Sequence, residues 1–208
     1  LRNVQPVRID PLDDGRLPFD DNSFDVVVLN GVLEYVGAAA LDLTPAEVQK
    51  RCLKEVRRVL KPGGTLYVGI ENRFGYLYFM GSHDHNGLRF TSLLPRKLAS
   101  WVTQWRKGTP YRTYTYSSAG YTALLHSAGF QTPEFHLAIP TYREPRYIVP
   151  ADNQNAIVYF ARQHAYSIKR RVRRALVSAM FRNLPVRLSS GLMRRVADSY
   201  LILAVPNK

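Results

Sequence analysis

The chain holds one cysteine, Cys52, in 208 residues, which excludes an internal disulfide framework and fits a reducing compartment. It has no run approaching the roughly 18 consecutive apolar residues of a membrane span. Its opening, LRNVQPVRID, lacks the apolar centre of a secretory signal. It also lacks an initiator methionine, and the expectation is a chain that begins partway through a longer one. Acids are nearly missing from one end: residues 156–208 carry one against 11 bases, whereas residues 1–155 carry 15 against 18. Most of the net charge of +13 therefore belongs to the tail and not to the chain as a whole. Internal repeats and low-complexity segments are absent, and a hydrophobic content of 46% is too high for disorder by composition.

What is present reads as alternating helix and strand. Phe24–Leu29, FDVVVL, is a continuous β-branched run of the kind a central parallel strand carries, and it ends at Asn30-Gly31. Thr44-Pro45-Ala46-Glu47 is a helix start, with Thr44 as N-cap, Pro45 at the first helical position and Glu47 closing a capping box. Val48, Cys52, Val56 and Val59 then recur at helical spacing, with Leu53 and Leu60 widening the face, and Lys61-Pro62-Gly63-Gly64 reads as the stop. Thr65–Ile70 is the next buried strand, followed abruptly by Glu71-Asn72-Arg73. Further expectations are a short strand at Val4–Ile9, helices over Pro95–Gln104 and Ser117–Ala128, strands near Phe130–Leu137 and Ser199–Val205, and irregular chain over Pro140–Pro150. Ile168–Phe181 reads as a basic amphipathic helix.

LPFDDNSFDVVVLNGVLEYV followed by LKEVRRVLKPGGTLYVGIEN resembles the second half of class I S-adenosylmethionine-dependent methyltransferases. The resemblance implies an α/β fold, a partial Rossmann-like sheet of that family's strands three to seven, with an aromatic lid over residues 71–116. Residues 1–137 and 199–208 would form the partial methyltransferase domain. Residues 138–198 would add a proline-rich segment and basic amphipathic helices. ENRFGYLYFMGSHDHNGLRFTSLLPRKLA and YTYSSAGYTALLHSAGF further resemble a subgroup found beside glycosyltransferases in polysaccharide pathways. The family's glycine-rich loop and the acid ending its second strand are not in this chain, so a fragment truncated at its N-terminus is expected.

The implied activity is methyl transfer from S-adenosyl-L-methionine to a hydroxyl of a carbohydrate or other small acceptor. The alternative is a non-catalytic, degenerate module that binds anionic membrane or RNA through its tail. For the cofactor the resemblance implies Asp10, Asp13 or Asp14 at the adenine, and Asn30 and Gly31 at the strand end. Glu71, Asn72, Arg73 and Tyr76 follow the next strand, where α/β sheets bind ligands, and Arg73 could hold an anionic acceptor by a bidentate contact. His85 or His83 could take the hydroxyl proton, since imidazole titrates near working pH. SHDHNG equally suits a polar turn. A metal is not expected, because the His pair at i, i+2 has no third ligand at a recognisable spacing. Glu34 is read as structural or solvent-facing on the first turn of a helix. The tyrosines clustered around the lid suit either sugar faces or simple packing. A cytoplasmic place, peripheral at the inner membrane face through residues 168–195, completes the expectation.

Overall fold

The computed structural model describes residues 3–7, 16–38, 42–167, 171, 174–175, 178–179 and 184–207. Five strands form one sheet: β1 (Phe24–Asn30), β2 (Leu60–Glu71), β3 (Glu134–Ile139), β4 (Tyr147–Pro150) and β5 (Ser199–Ala204). Their order is β1-β2-β5-β3-β4. β1 and β2 are parallel, β5 runs antiparallel to both β2 and β3, and β4 antiparallel to β3. The expected mixed α/β sheet and its final antiparallel strand are thus present. Two details differ. Residues 3–7 form no strand, and Val4 and Val7 are exposed; Ile9 lies outside the described residues. The proline-rich stretch read as irregular instead supplies β4, whose Val149 is buried in the core.

The helices are α1 (Pro45–Val59), the single turn α2 (Tyr76–Phe79), α3 (Arg96–Lys107), α4 (Ser118–Ser127), α5 (Gln154–Ser167) and α6 (Val186–Val196). The capping box forms as expected: the Glu47 amide donates to Thr44 Oγ1 at 3.3 Å and the Thr44 amide donates to Glu47 Oε2 at 2.9 Å. α1 then runs directly into β2, with Leu60 extended as its C-cap. Pro62-Gly63-Gly64 is therefore not a helix stop but an irregularity at the start of β2, where the register slips between Phe24 and Val26. Gly63 takes φ +81 there, a conformation that favours glycine.

One main core holds the described residues together, and a smaller cluster of Ala138, Tyr142 and Leu201 packs beside Tyr67. Leu66, Val68 and Ile70 of β2 pack with Leu53 and Val56 of α1, Tyr121 and Leu125 of α4, Ile157 of α5 and Met193 of α6. Arg58 ties the chain entering β1 to α1: it donates to the carbonyls of Leu17 (2.9 Å) and Phe19 (2.8 Å) and pairs with Asp21 (2.7 Å) and Glu55 (2.9 Å). That is the physical content of the LPF approach to the strand. No helix among the described residues is long and apolar enough to cross a membrane.

Candidate active site

β1 and β2 finish side by side. Asn30 is the register partner of Gly69, and the Gly31 amide donates to the Gly69 carbonyl at 2.8 Å. Gly31 has φ +68, and a Cβ there would stand 2.6 Å from the Tyr142 hydroxyl, so glycine is needed both for the turn and for this close approach. The chain then makes a turn over residues 33–37, not the expected helix. This turn drives Leu33 and Glu34 inward, and Glu34 is fully buried. The solvent-facing reading of Glu34 is overturned by that turn.

Three side chains meet beneath it. Glu34 comes from the turn after β1, Glu71 is the last residue of β2, and His85 comes from the loop after α2. Their ligand-type atoms all lie within 4.8 Å of one another. The His85 ring is positioned from both sides: Nδ1 lies 2.7 Å from the Tyr35 hydroxyl and Nε2 lies 3.2 Å from Glu71 Oε2. Arg143 Nη2 donates to the other Glu71 oxygen at 3.0 Å. Neither Glu34 oxygen has a hydrogen-bond partner from another residue.

The electrostatics follow from this crowding. Burial pushes the Glu34 carboxyl up to about 7, and the Glu71 charge adds to the effect. Burial acts the same way on Glu71, but His85 and Arg143 outweigh it and hold its carboxyl low. Burial alone would lower His85; contact with Glu71 and the nearby charge of Glu34 reverse that, and its pKa is raised. Asp198, next to β5, is pushed up to about 7 by burial and by Glu71. The ends of β1, β2 and β5 therefore form a buried cluster able to exchange protons near neutrality.

The expected site residues separate into several roles. Asp10, Asp13 and Asp14 lie outside the described residues. Asn30 is exposed at the strand tip. His85 joins the cluster, whereas His83 is exposed and bridges to Arg89. Glu71 is central. Asn72 is a correction: it is fully buried and donates to the carbonyls of Arg195 (2.7 Å) and Ala197 (2.8 Å), so it staples β2 to the α6–β5 connection. Arg73 is another, since Nε donates to Ser92 O at 2.9 Å and Nη2 to Leu94 O at 2.6 Å. Its fork holds a loop, which leaves no bidentate face for an anion. Tyr76 packs against the core. Tyr111, Tyr114 and Tyr116 surround the Arg96 guanidinium, the nearest ring centroid at 4.2 Å, as a packed aromatic cluster. Of the basic helix expected at 168–181, only Arg171, Arg174, Ala175, Ser178 and Ala179 are described.

Gln49, Glu34, Arg143 and Asp198 were not singled out as site or lid residues from sequence. Gln49 lies on α1 and donates to Leu33 O (3.0 Å) and Tyr114 O (2.8 Å), while accepting from Tyr116 Oη (2.8 Å). Only its place among apolar neighbours on α1 could have marked it. A separate cavity of about 400 Å³, lined by Lys54, Arg57, Lys61 and Pro206 among others, lies at the opposite end of β2 and away from this chemistry.

Residues 2–68 match the model of a family described as a methyltransferase domain, a stretch that includes β1, α1 and most of β2. Over 61 residues the chain is 39% identical to an uncharacterized protein of Methanocaldococcus jannaschii, an alignment covering 29% of this chain and 25% of that protein. The chain thus matches about a quarter of that relative's length. Among solved structures, a SAM-dependent methyltransferase of Thermotoga maritima, described as a possible histamine N-methyltransferase, aligns over 93% of this chain and 61% of its own, at 15% identity and TM-score 0.46. A putative methyltransferase of Bacillus halodurans aligns over 99% and 79%, at 15% identity and TM-score 0.41.

Proposed function

We propose that the chain forms the acceptor side of an S-adenosylmethionine-dependent methyltransferase that acts on a hydroxyl group. The observation that carries the reading is a coincidence of place. The stretch matching a methyltransferase domain runs up β1 and β2, and the buried Glu34–Glu71–His85 cluster sits where those two strands end. Such strand ends are where α/β sheets bind their ligands.

The described residues fit the cofactor in part. Asn30 is an exposed polar group at the strand tip, and beside it Gly31 brings bare backbone to the surface; Tyr142 stands over that glycine. Asn30 and Gly31 would line the donor. S-Adenosylmethionine supplies a sulfonium methyl that passes to the acceptor oxygen while the electron pair of the broken bond stays on sulfur. His85 takes the hydroxyl proton at Nδ1, the nitrogen that Tyr35 Oη approaches, in the tautomer whose Nε2–H faces the Glu71 carboxylate. Glu71 stabilises the resulting imidazolium, and Arg143 holds Glu71 in place. Burial keeps water from competing and strengthens each of these interactions. Tyr35, partly exposed beside His85, offers a flat ring with a polar tip, which supports a carbohydrate or similar small acceptor.

The test is calorimetry with S-adenosylmethionine, followed by an assay for S-adenosylhomocysteine release across a panel of hydroxylated acceptors. His85→Ala is expected to lower turnover by about 10²–10⁴-fold while leaving donor affinity near its original value. Absence of donor binding, or turnover indifferent to His85→Ala, would remove the reading.

A further inference from the structure

In the Glu34–Glu71–His85 cluster four buried polar atoms lack hydrogen-bond partners, namely both Glu34 oxygens, Glu71 Oε2 and His85 Nε2, and one ligand-type atom from each residue lies within 4.8 Å of the other two. Nε2 and Oε2 approach to 3.2 Å, but without the alignment of a hydrogen bond. Glu34 is fully buried, and a buried carboxylate without a partner is strongly disfavoured. Polar atoms from three residues meeting at one buried point, with the Glu34 carboxyl unpartnered, call for a common occupant.

From this geometry we propose that the cluster is a binding site for a divalent metal cation, with Glu34, Glu71 and His85 as its protein ligands. The outer contacts are those a metal site requires. Tyr35 Oη holds His85 Nδ1 at 2.7 Å, which fixes the ring and leaves Nε2 to point into the cluster. Arg143 occupies Glu71 Oε1 at 3.0 Å, which orients the carboxylate and leaves Oε2 for the ion. Ligands about 2.1 Å from a cation stand roughly 3–4.2 Å apart, so atoms already within 4.8 Å close on one with small side-chain rotations. Arg143 offsets one of the two carboxylate charges, and a divalent ion more than offsets the other.

The donor set also narrows the ion. Two carboxylates and one imidazole suit a first-row cation such as Mn²⁺ or Zn²⁺ better than Mg²⁺, which prefers oxygen alone. Three protein ligands leave coordination positions open for water or an oxygen of a small molecule. Sequence spacing could not reveal the set, because each ligand comes from a different element. A cation on His85 Nε2 displaces the proton that faces Glu71 and leaves the ring's remaining proton on Nδ1, so the loaded cluster and His85 acting as a base are alternative states. The cation site does not depend on methyl transfer.

The test uses the full 208-residue chain, stripped with a chelator and titrated with Mn²⁺ while free Mn²⁺ is followed by electron paramagnetic resonance, with Zn²⁺ as competitor. No methyl donor or acceptor is present, so the result is independent of the enzymatic reading. One ion per chain is expected, with affinity falling more than about tenfold in Glu34→Gln and in His85→Ala, and about tenfold in Tyr35→Phe. The ion should raise the melting temperature of the parent chain but not that of Glu34→Gln. Glu34→Gln removes a buried charge without changing shape, so it is expected to fold, which circular dichroism verifies. Absence of saturable binding of either ion at millimolar concentration, or binding unchanged in both Glu34→Gln and His85→Ala, overturns the site.

Discussion

Asp198 is one residue from β5, almost fully buried, and its carboxyl is pushed up to about 7, by burial first and then by the charge of Glu71. In the unfolded chain an aspartate titrates near 3.9. Between those values the folded chain holds a proton that the unfolded chain has lost, so the free energy of unfolding falls as pH rises. The stabilising contribution is complete below about pH 4 and is lost as pH passes through about 7. Asp198→Asn keeps the shape and removes the titration. Urea unfolding at about pH 8 should show the variant more stable than the parent by up to about 4 kcal/mol, with the difference vanishing near pH 4. Equal pH slopes in the two proteins would show that Asp198 is not held protonated. The same scale explains why single residues were partly misread from sequence. Glu71-Asn72-Arg73 looked like a polar trio facing a ligand, yet Asn72 and Arg73 direct their donors to backbone carbonyls. Polar residues just past a strand can serve a site or close the fold, and composition does not distinguish these uses.

Among the elements, α1 was the most legible, because a capping box and a proline at the first turn are local signals. Its inner face was less so. Val48, Cys52, Val56 and Val59 were expected inside, with Leu53 and Leu60 widening the face; Leu53, Val56, Val59 and Leu60 are buried as expected, whereas Val48 and Cys52 are only half-buried and Pro45 and Gln49 are buried instead. The face is turned toward Gln49 because that amide bridges the turn after β1 and the segment holding Tyr114 and Tyr116. Removing it leaves the Leu33 and Tyr114 carbonyls and the Tyr116 hydroxyl without their partner. Gln49→Ala is therefore expected to cost about 2–4 kcal/mol in urea unfolding, more than an ordinary surface truncation on α1. A cost under about 0.5 kcal/mol would mean that water replaces the amide without loss. β2 shows the converse limit of local signals. Pro-Gly-Gly permits a helix cap or a strand irregularity equally well, and the pairing with β1 decides between them. The cluster of Glu34, Glu71 and His85 was illegible for a related reason: its members come from three elements whose convergence depends on the turn after β1.

At the scale of the whole molecule, the helices among the described residues pack on one face of the sheet. Val27 and Leu29 point to that face with Leu66 and Val68, and all contribute to or pack against the core. Val26 and Val28 point the other way, paired in register with Thr65 and Tyr67, and are 56% and 58% exposed. Ile148 of β4, whose register partner Ala138 belongs to the smaller cluster, is likewise 54% exposed. A β-branched run such as FDVVVL suggested burial on both faces, the usual condition of parallel strands. Here β1 is an edge strand paired only with β2 among the described residues, and burial alternates along an all-apolar sequence. The two faces should therefore respond oppositely to substitution. Val26→Thr and Val28→Thr alter side chains already in water, so each should stay within about 0.5 kcal/mol of the parent in urea unfolding and reduce binding of a hydrophobic dye. Leu66→Ala opens a cavity under α1 and α4 and should cost about 2–5 kcal/mol. If the two valine variants proved as costly as Leu66→Ala, β1 would have to be covered on both faces in solution, and the one-sided sheet would not be its resting arrangement.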